Sequence, residues 1–178
     1  MSIIVNTKKG KVVQFLCFNP TSSYTIRELS RRVKISPTWI SKIVRELKKK
    51  QIVEIKEDAN SLKVKSKRDV PFIRLKQILN LNNIYSSGLV DRLVEVYHAP
   101  DAIILFGSYS RGEDIEDSDI DIAVLTGRKQ IDESYAKQEK ELKRKLSIKI
   151  ISPKNITKEF TLSLANGVIL YGYLEIGL

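Results

Sequence analysis

The chain has 178 residues, of which 42% are apolar and 29% charged, and its 31 Lys and Arg outnumber 21 Asp and Glu. This composition indicates a globular protein with one or two small cores and excludes disordered, collagen-like and coiled-coil chains. The longest apolar runs, such as 102–106 and 168–171, are far shorter than the roughly 20 residues of a membrane-spanning helix. We therefore expect no membrane partner, and a start without a secretory signal predicts a cytoplasmic protein. A single cysteine and a single histidine argue against a zinc site.

The positive charge is concentrated in the first part of the chain. Residues 1–68 hold 17 Lys and Arg against 5 Asp and Glu, whereas residues 98–178 hold 11 against 13. Such an excess in one third of a chain is typical of a nucleic-acid-binding module. A lysine-rich solubility surface is the alternative, so the decision rests on the pattern of residues within this segment.

Two helices are predicted at the start. The first, over 11–18, stops before Asn19-Pro20 because the residue before a proline is displaced from the helical region. The second begins after Thr25, which forms a capping box with Glu28.

A third helix is predicted from Pro37 to about Lys50, because the Ser-Pro pair at 36–37 supplies a cap and a first turn. Its apolar positions recur at helical spacing and define an inward face. The other face exposes hydroxyl, Lys and Arg side chains near the N-terminus, as in helices that enter a DNA major groove. Trp39 is not included among the contacts, since a lone Trp in a helix is more often packed. The predicted DNA contacts on this helix are Thr38, Ser41, Lys42 and Arg45.

Two short strands follow the third helix. Residues 52–56 and 62–65 alternate between apolar and polar, with turn residues between them. Residues 25–65 resemble the winged helix-turn-helix domains of bacterial and archaeal transcription regulators. The resemblance implies that the third helix reads the groove of double-stranded DNA. It also implies that the wing approaches phosphates through Lys56, Lys63 and Lys65. A winged helix used for protein contacts is the alternative.

We assign residues 1–68 to this domain and residues 69–97 to a helical linker. Apolar residues recur there at helical spacing, with interruptions at 82–83 and 86–88. The two predicted helices either bridge the flanking domains or pair with the same helices of a second chain. A homodimer would also match the two-fold symmetry usual for winged-helix regulators on DNA.

The most informative motif begins in a buried strand, 102–106, that leads into Gly107-Ser108, and a second strand carries Asp119 and Asp121. Alternation places both carboxylates on one face of that strand. Two adjacent carboxylates repel, so the pair calls for a divalent cation between them and a phosphate. Mg²⁺ fits, since it binds through one or two carboxylates plus substrate phosphates. A glycine at 107 lets the backbone approach the phosphate.

Gly107-Ser108, ten further residues and the Asp119-x-Asp121 pair resemble the motif of the nucleotidyltransferase superfamily. Arg111-Gly112 and Ser118 resemble the minimal nucleotidyltransferases of archaea and bacteria, some of which act as antitoxins. The resemblance implies a small mixed-sheet domain over 98–178 in an α+β chain; behind a winged helix, such a domain resembles a group of archaeal proteins predicted to be regulators. It implies Mg²⁺ or Mn²⁺ at catalytic Asp119 and Asp121, and a nucleoside triphosphate whose phosphates meet Gly107, Ser108, Arg111 and Ser118.

One position departs from the family pattern. The family's third strand brings a third carboxylate, which deprotonates the acceptor hydroxyl, and aligning residues 148–153 with that strand places Lys149 there. Residues 143–158 contain no Asp or Glu. Loss of a general base typically removes about 10²- to 10⁴-fold of rate. Two alternatives are open: Lys149 meets a phosphate directly, or Glu141 or Glu159 replaces the missing carboxylate.

Two interpretations of the second half follow. In the first, it is an enzyme that transfers a nucleotidyl group to a hydroxyl acceptor, and that acceptor can belong to a protein. In the second, it is a catalytically inactive domain that serves a DNA-binding regulator as a nucleotide sensor or as a dimerisation module. Lys149 favours the second, and the intact Gly107-Ser108 and Asp119/Asp121 favour the first. An antitoxin-type protein that modifies a partner is a further alternative.

Overall fold

Two structural units make up the chain, residues 1–79 and residues 80–178. The computed structural model describes residues 6–58, 61–152 and 158–174, apart from the side chains of 58 and 158–160. Within these ranges, no helix is both long and apolar enough to cross a membrane.

The first unit combines helices with a three-stranded antiparallel sheet of order β1-β3-β2. Strand β1 was not predicted from the sequence. Its three residues become a strand by pairing with 63–65, more than 35 residues away. The elements are α1 (Lys8–Phe18), β1 (Ser23–Thr25), α2 (Ile26–Val33), α3 (Pro37–Lys49), β2 (Val53–Asp58), β3 (Ser61–Ser66) and α4 (Val70–Ser86).

Local hydrogen bonds define where these helices begin. Helix α1 starts three residues earlier than expected, because the side chain of Thr7 accepts a hydrogen bond from the Gly10 amide at 2.9 Å. The capping box of α2 is confirmed: Thr25 and Glu28 exchange side-chain and backbone hydrogen bonds. The inward face of α3 is confirmed as well, since its buried residues are Ile40, Ile43, Val44 and Leu47.

The second unit is built on a four-stranded mixed sheet of order β6-β5-β4-β7. Strands β5 and β6 are parallel, whereas β4 runs antiparallel to both β5 and β7. The chain is therefore of the α+β class. Its elements are α5 (Leu89–Val96), β4 (Ala102–Phe106), α6 (Gly107–Arg111), β5 (Ile120–Leu125), α7 (Ala136–Leu142), β6 (Leu146–Ile151), α8 (Lys158–Ala165) and β7 (Val168–Gly172).

Both faces of this sheet are covered, which explains why every residue of β4 is buried. Ile103 and Leu105 point into a core that contains Leu89 and Leu93 of α5. The alternate residues of β4 join a second core with Leu164 of α8. Asp121 of β5 alternates with Ile120 and Ile122, which belong to the first core, and so lies on this second face.

The predicted linker is shared between the two units. Helix α4 continues through 82–83, where an interruption was expected, and the boundary between the units falls inside it. Phe72 and Leu79 belong to the core of the first unit, and Ile84 belongs to a core of the second.

Candidate functional site

Gly107 and Asp121 are neighbours across two antiparallel strands. Phe106 of β4 pairs with Asp121 of β5, so the residue after Phe106 reaches the aspartate carboxylate. Gly107 has φ +72°, a conformation that side chains disfavour. A methyl group at Gly107 would also overlap the carboxylate oxygen Oδ2 of Asp121 and lie 3.3 Å from its Cγ. The backbone conformation and the contact with Asp121 therefore each exclude a side chain at Gly107, which lies beside a half-buried carboxylate.

Asp119 immediately precedes β5 and is exposed. The turn before it is closed by Ser118, whose Oγ accepts a hydrogen bond from the Ile115 amide at 2.9 Å. The Ile120 amide then donates to the Lys145 carbonyl at 2.9 Å and begins the pairing with β6. Ser118 thus acts on the backbone that presents Asp119.

Asp119 also lines a cavity of about 590 Å³ between the 116–119 turn and the segment from α7 to β6. Opposite it, Glu139 accepts hydrogen bonds from the Leu146 amide at 3.0 Å and from Lys145 Nζ at 3.3 Å. The hydrogen bond from the Leu146 amide is the main reason why the pKa of Glu139 lies below its ordinary range. This wall of the cavity also carries four basic residues: Lys140, Lys143, Arg144 and Lys145. The sequence analysis missed them, although residues 140–145 are rich in Lys and Arg.

The other predicted phosphate contacts lie on or beside α6. Ser108 is half-buried in its first turn. Arg111, in the last turn, is exposed, and its Nε donates to Glu113 Oε2 at 2.8 Å. Gly112 ends the helix with φ +70°.

Lys149 lies on the sheet face that carries Asp121. In the parallel pair, Asp121 is beside Ser147 and Ala123 is beside Lys149, so these four side chains share a face. The Lys149 ammonium lies 5.5 Å from the centroid of the Phe106 ring. A cation thus occupies the position where the family pattern has a carboxylate and where the sequence analysis placed Lys149. Glu141, one proposed substitute, is exposed on α7, and the side chain of the other, Glu159, lies outside the described residues.

A buried polar network next to the Gly107-to-Asp121 motif was not predicted from the sequence. Asn80 Nδ2 donates to the Tyr109 carbonyl of α6 at 2.9 Å and to Asp114 Oδ1 at 2.8 Å. Asp114 also faces Arg144, with Oδ2 and Nη2 3.7 Å apart. Asn80, Asp114 and Arg144 are at most 9% exposed. The network connects α6, the loop before Asp119 and the residue that leads into β6.

In the first unit, the four residues predicted on α3 line a single cavity of about 820 Å³. Thr38, Lys42 and Arg45 are exposed, and Ser41 is half-buried. The cavity also contains Trp39, which is 45% exposed rather than packed.

The three predicted wing lysines share the solvent face of the small sheet. Lys56 pairs with Lys63 across β2 and β3, and Glu54 pairs with Lys65. Lys56 is exposed and bridges to Glu54 at 3.1 Å, whereas Lys63 and Lys65 are half-buried. One acidic residue therefore lies among the three cations.

Residues 89–175 match the family model described as polymerase beta, nucleotidyltransferase. The match supports the assignment of this segment as a nucleotidyltransferase domain. The match begins before residue 98, the boundary expected from sequence, and includes α5, which packs into a core of the mixed sheet. No curated protein matches the sequence.

The donor set of the nucleotidyltransferase domain suits a hard divalent cation bound together with phosphate. In the described part of the chain, no three His, Cys, Asp or Glu side chains are grouped to hold a metal ion on their own. Asp119 and Asp121 supply only carboxylate oxygens. Mg²⁺ commonly binds through one or two such groups and completes its shell with phosphate and water. The residues present therefore fit a metal that arrives with a nucleotide.

Proposed function

We propose that the nucleotidyltransferase domain binds a nucleoside triphosphate with Mg²⁺ or Mn²⁺, and that the first unit binds double-stranded DNA as part of a transcription regulator. The observation that supports nucleotide binding is the contact of Gly107 with Asp121. Because Gly107 has no side chain, the Asp121 carboxylate lies directly against the backbone at the start of α6, where a phosphate would approach the backbone and a cation would neutralise both charges.

In this proposal, each residue of the motif has one task. Asp119 and Asp121 hold the metal, and Gly107 and Ser108 receive the phosphates; Arg111 and Ser118 belong to the same phosphate-binding group. When bound, the metal neutralises phosphate charge and polarises the α-phosphate for attack by a hydroxyl, with pyrophosphate as leaving group. The domain's own contribution is to position the nucleotide and to offset its charge.

Lys149 favours binding over efficient transfer. Its ammonium shares the face of Asp121, so it attracts a phosphate, but it cannot accept the proton of an acceptor hydroxyl while it is charged. We therefore place nucleotide sensing by a DNA-binding regulator ahead of catalysis. The competing proposal is slow transfer of a nucleotidyl group to an unidentified acceptor. In the antitoxin-type alternative, this chain modifies a partner protein.

Calorimetric titration of ATP and of GTP tests the nucleotide site. We expect binding with Mg²⁺, weaker binding with EDTA, and none for the Asp119→Ala, Asp121→Ala double variant. The matched control is Asp91→Ala with Asp132→Ala, which removes two exposed carboxylates from the same unit and should leave binding intact. Equal binding by both double variants would place the nucleotide elsewhere.

Release of pyrophosphate, with water or a hydroxyl group of the protein itself as the acceptor of the nucleotidyl group, tests for catalysis. On the sensing proposal, wild-type protein with Mg-ATP releases no more pyrophosphate than an EDTA blank. Lys149→Asp, which returns a carboxylate to the face of Asp121, should then raise the release. Release by the wild type that disappears in Asp119→Ala would instead establish an enzyme.

The first unit supports the DNA-binding proposal through its topology. Its elements run α1-β1-α2-α3-β2-β3, and the small sheet has the order β1-β3-β2. This order is similar to that of winged helix-turn-helix domains and supports the proposal that α3 enters the major groove and that the β2–β3 hairpin forms the wing. The observation that favours this function is the grouping of Thr38, Ser41, Lys42 and Arg45 around one exposed cavity.

Salt-dependent binding to duplex DNA tests this assignment. We expect Lys42→Ala with Arg45→Ala to lower affinity and to reduce the slope of log affinity against log salt by about 0.9 per lost phosphate contact. Arg128→Ala with Lys129→Ala is a matched control, because it removes one Arg and one Lys from an exposed loop of the other unit. The assignment of α3 is wrong if the two double variants bind equally.

We also propose that the protein acts in the cytoplasm as a homodimer, since regulators of this topology usually meet two DNA half-sites. The single cysteine, Cys17, is buried, which suits a reducing compartment. Light scattering should give twice the 20.3 kDa mass of the chain without DNA, and that mass plus the mass of the duplex with DNA. A monomer in both measurements would contradict the dimer.

A further inference from the structure

Trp39 and two lysines form an exposed cluster that the proposed DNA contacts do not explain. The indole is 45% exposed in the first turn of α3. The ammonium of Lys42 lies 5.4 Å from the ring centroid. The ammonium of Lys8, the first residue of α1, lies 4.4 Å from the same ring. Both distances are within the range of a cation–π interaction.

This cluster restricts two side chains that would otherwise move freely. An exposed lysine has four rotatable bonds and loses much conformational freedom when its ammonium is fixed. Here one aromatic ring attracts both ammonium groups to the same small region, although like charges repel. Arg45 lines one cavity with Trp39 and Lys42. The two cations on the ring and this third cation on the same helix are matched by a ligand with regularly spaced negative charges.

We infer that Trp39 is a positioning residue that holds Lys8 and Lys42 for contact with the phosphates of duplex DNA. The inference rests on the proposed DNA-binding function and extends its interface to the first turn of α1. Lys8 becomes an additional phosphate contact, and Trp39 acts through the two lysines rather than by reading a base.

The neighbouring residue offers a matched control for Lys8. Lys9 is also a lysine of the first turn of α1, but its ammonium pairs with Glu46 instead of the indole. Lys8→Ala and Lys9→Ala therefore change the net charge equally, but only Lys8→Ala removes an ammonium group from the ring.

The experiment measures binding of a fluorescent 20-base-pair duplex between about 50 and 300 mM NaCl. Lys8→Ala should reduce the salt slope by about 0.9, the value for one phosphate contact, and Lys9→Ala should leave the slope unchanged. Trp39→Ala should reduce the slope by at least as much, and adding Lys8→Ala to it should have little further effect. Trp39→Phe, which retains an aromatic face, should restore most of the slope.

Three results would overturn the inference: equal slopes for the Lys8 and Lys9 variants, additive effects of Lys8→Ala and Trp39→Ala, or no rescue by Trp39→Phe. Circular dichroism melting checks that each variant folds, and Lys8→Gln replaces Lys8→Ala if the latter does not. If Lys42→Ala with Arg45→Ala lowers binding while the Lys8 and Trp39 variants do not, this inference alone fails. If none of these variants changes binding, the DNA-binding function itself fails.

Trp39 also supplies a direct signal, because it is the only tryptophan of the chain. Addition of duplex DNA should change its emission as the ammonium groups turn toward phosphates. Lys8→Ala should shift the emission of the unbound protein. Emission that is unaffected by Lys8→Ala would show that the ammonium does not occupy the ring in solution.

Discussion

At position 107, the backbone conformation and the neighbouring carboxylate exclude a side chain independently, and other glycines separate the two effects. Gly88 has φ +68° with no atom within 4 Å of an added methyl group, and Gly127 has neither constraint. We expect Gly127→Ala to be neutral and Gly88→Ala to cost about 1 kcal/mol of unfolding free energy. Gly107→Ala should cost more than Gly88→Ala and should also abolish nucleotide binding, because the methyl group displaces Asp121. Urea denaturation and calorimetry measure the two effects; equal costs for Gly88→Ala and Gly107→Ala would contradict the contact.

Asp114 offers a second test at the residue scale. Its carboxylate is buried between Asn80 and Arg144. Removing one partner of a buried ion pair leaves the other charge without compensation and typically costs about 3–5 kcal/mol. We expect Asp114→Ala to lower the unfolding free energy of the second unit by about 3 kcal/mol, measured by urea denaturation. Asp117→Ala, an exposed aspartate of the same loop, is the control, and similar losses for both variants would argue against the network.

At the scale of a single element, α2 depends on its capping box. Thr25→Ala removes the hydroxyl that accepts a hydrogen bond from the Glu28 amide, and should lower the free energy of unfolding by about 1 kcal/mol. Thr25 also donates its backbone amide to Glu28 at 2.7 Å, and this bond is the main reason why the pKa of Glu28 lies below its ordinary 4.5. Because this pKa is lower in the folded than in the unfolded state, the ionised carboxylate stabilises the folded protein above pH 4.5. This stabilisation is lost as pH falls through the folded-state pKa.

This sign predicts the behaviour of Glu28→Gln. The variant should be less stable than wild type at pH 7, and the difference should shrink below pH 4.5 as wild-type Glu28 becomes protonated. Thermal melts across pH 2.5–7 measure the difference. Glu57→Gln, on an exposed strand position, controls for the change in net charge. A constant difference between Glu28→Gln and wild type across this range would contradict the role of the carboxylate.

Elements with local signals were predictable from sequence, and those that depend on distant partners were not. The cap at Thr25 and the proline in the first turn of α3 lie inside the segments they define. The cap expected from Ser36 is not formed by its side chain, which makes no capping hydrogen bond. Strand β1, in contrast, exists because of its pairing with β3. The same distinction holds in the candidate site. Spacing indicated that Gly107 and Asp121 belong together, whereas the support of the motif by Asn80 depends on long-range packing that sequence spacing does not encode.

At the scale of the whole molecule, the two units have separate cores. Ile40 is fully buried in the first, and Ile122 is fully buried in the second. Truncation of a buried isoleucine to alanine typically costs about 2–5 kcal/mol. We expect Ile40→Ala to increase amide hydrogen exchange mainly in residues 1–79 and Ile122→Ala mainly in residues 80–178. Loss of protection across the whole chain in both variants would indicate a single cooperative unit.

Helix α4 affects how the chain can be divided into fragments. The boundary between the units follows Leu79, in the middle of this helix. A fragment that begins at Asn80 would start at a frayed helix end, with four backbone amides lacking intrahelical acceptors. Yet Asn80 must hold its side chain still to bond Tyr109 and Asp114. Fragments that retain the whole of 70–86 should therefore express and fold better than fragments cut at the boundary.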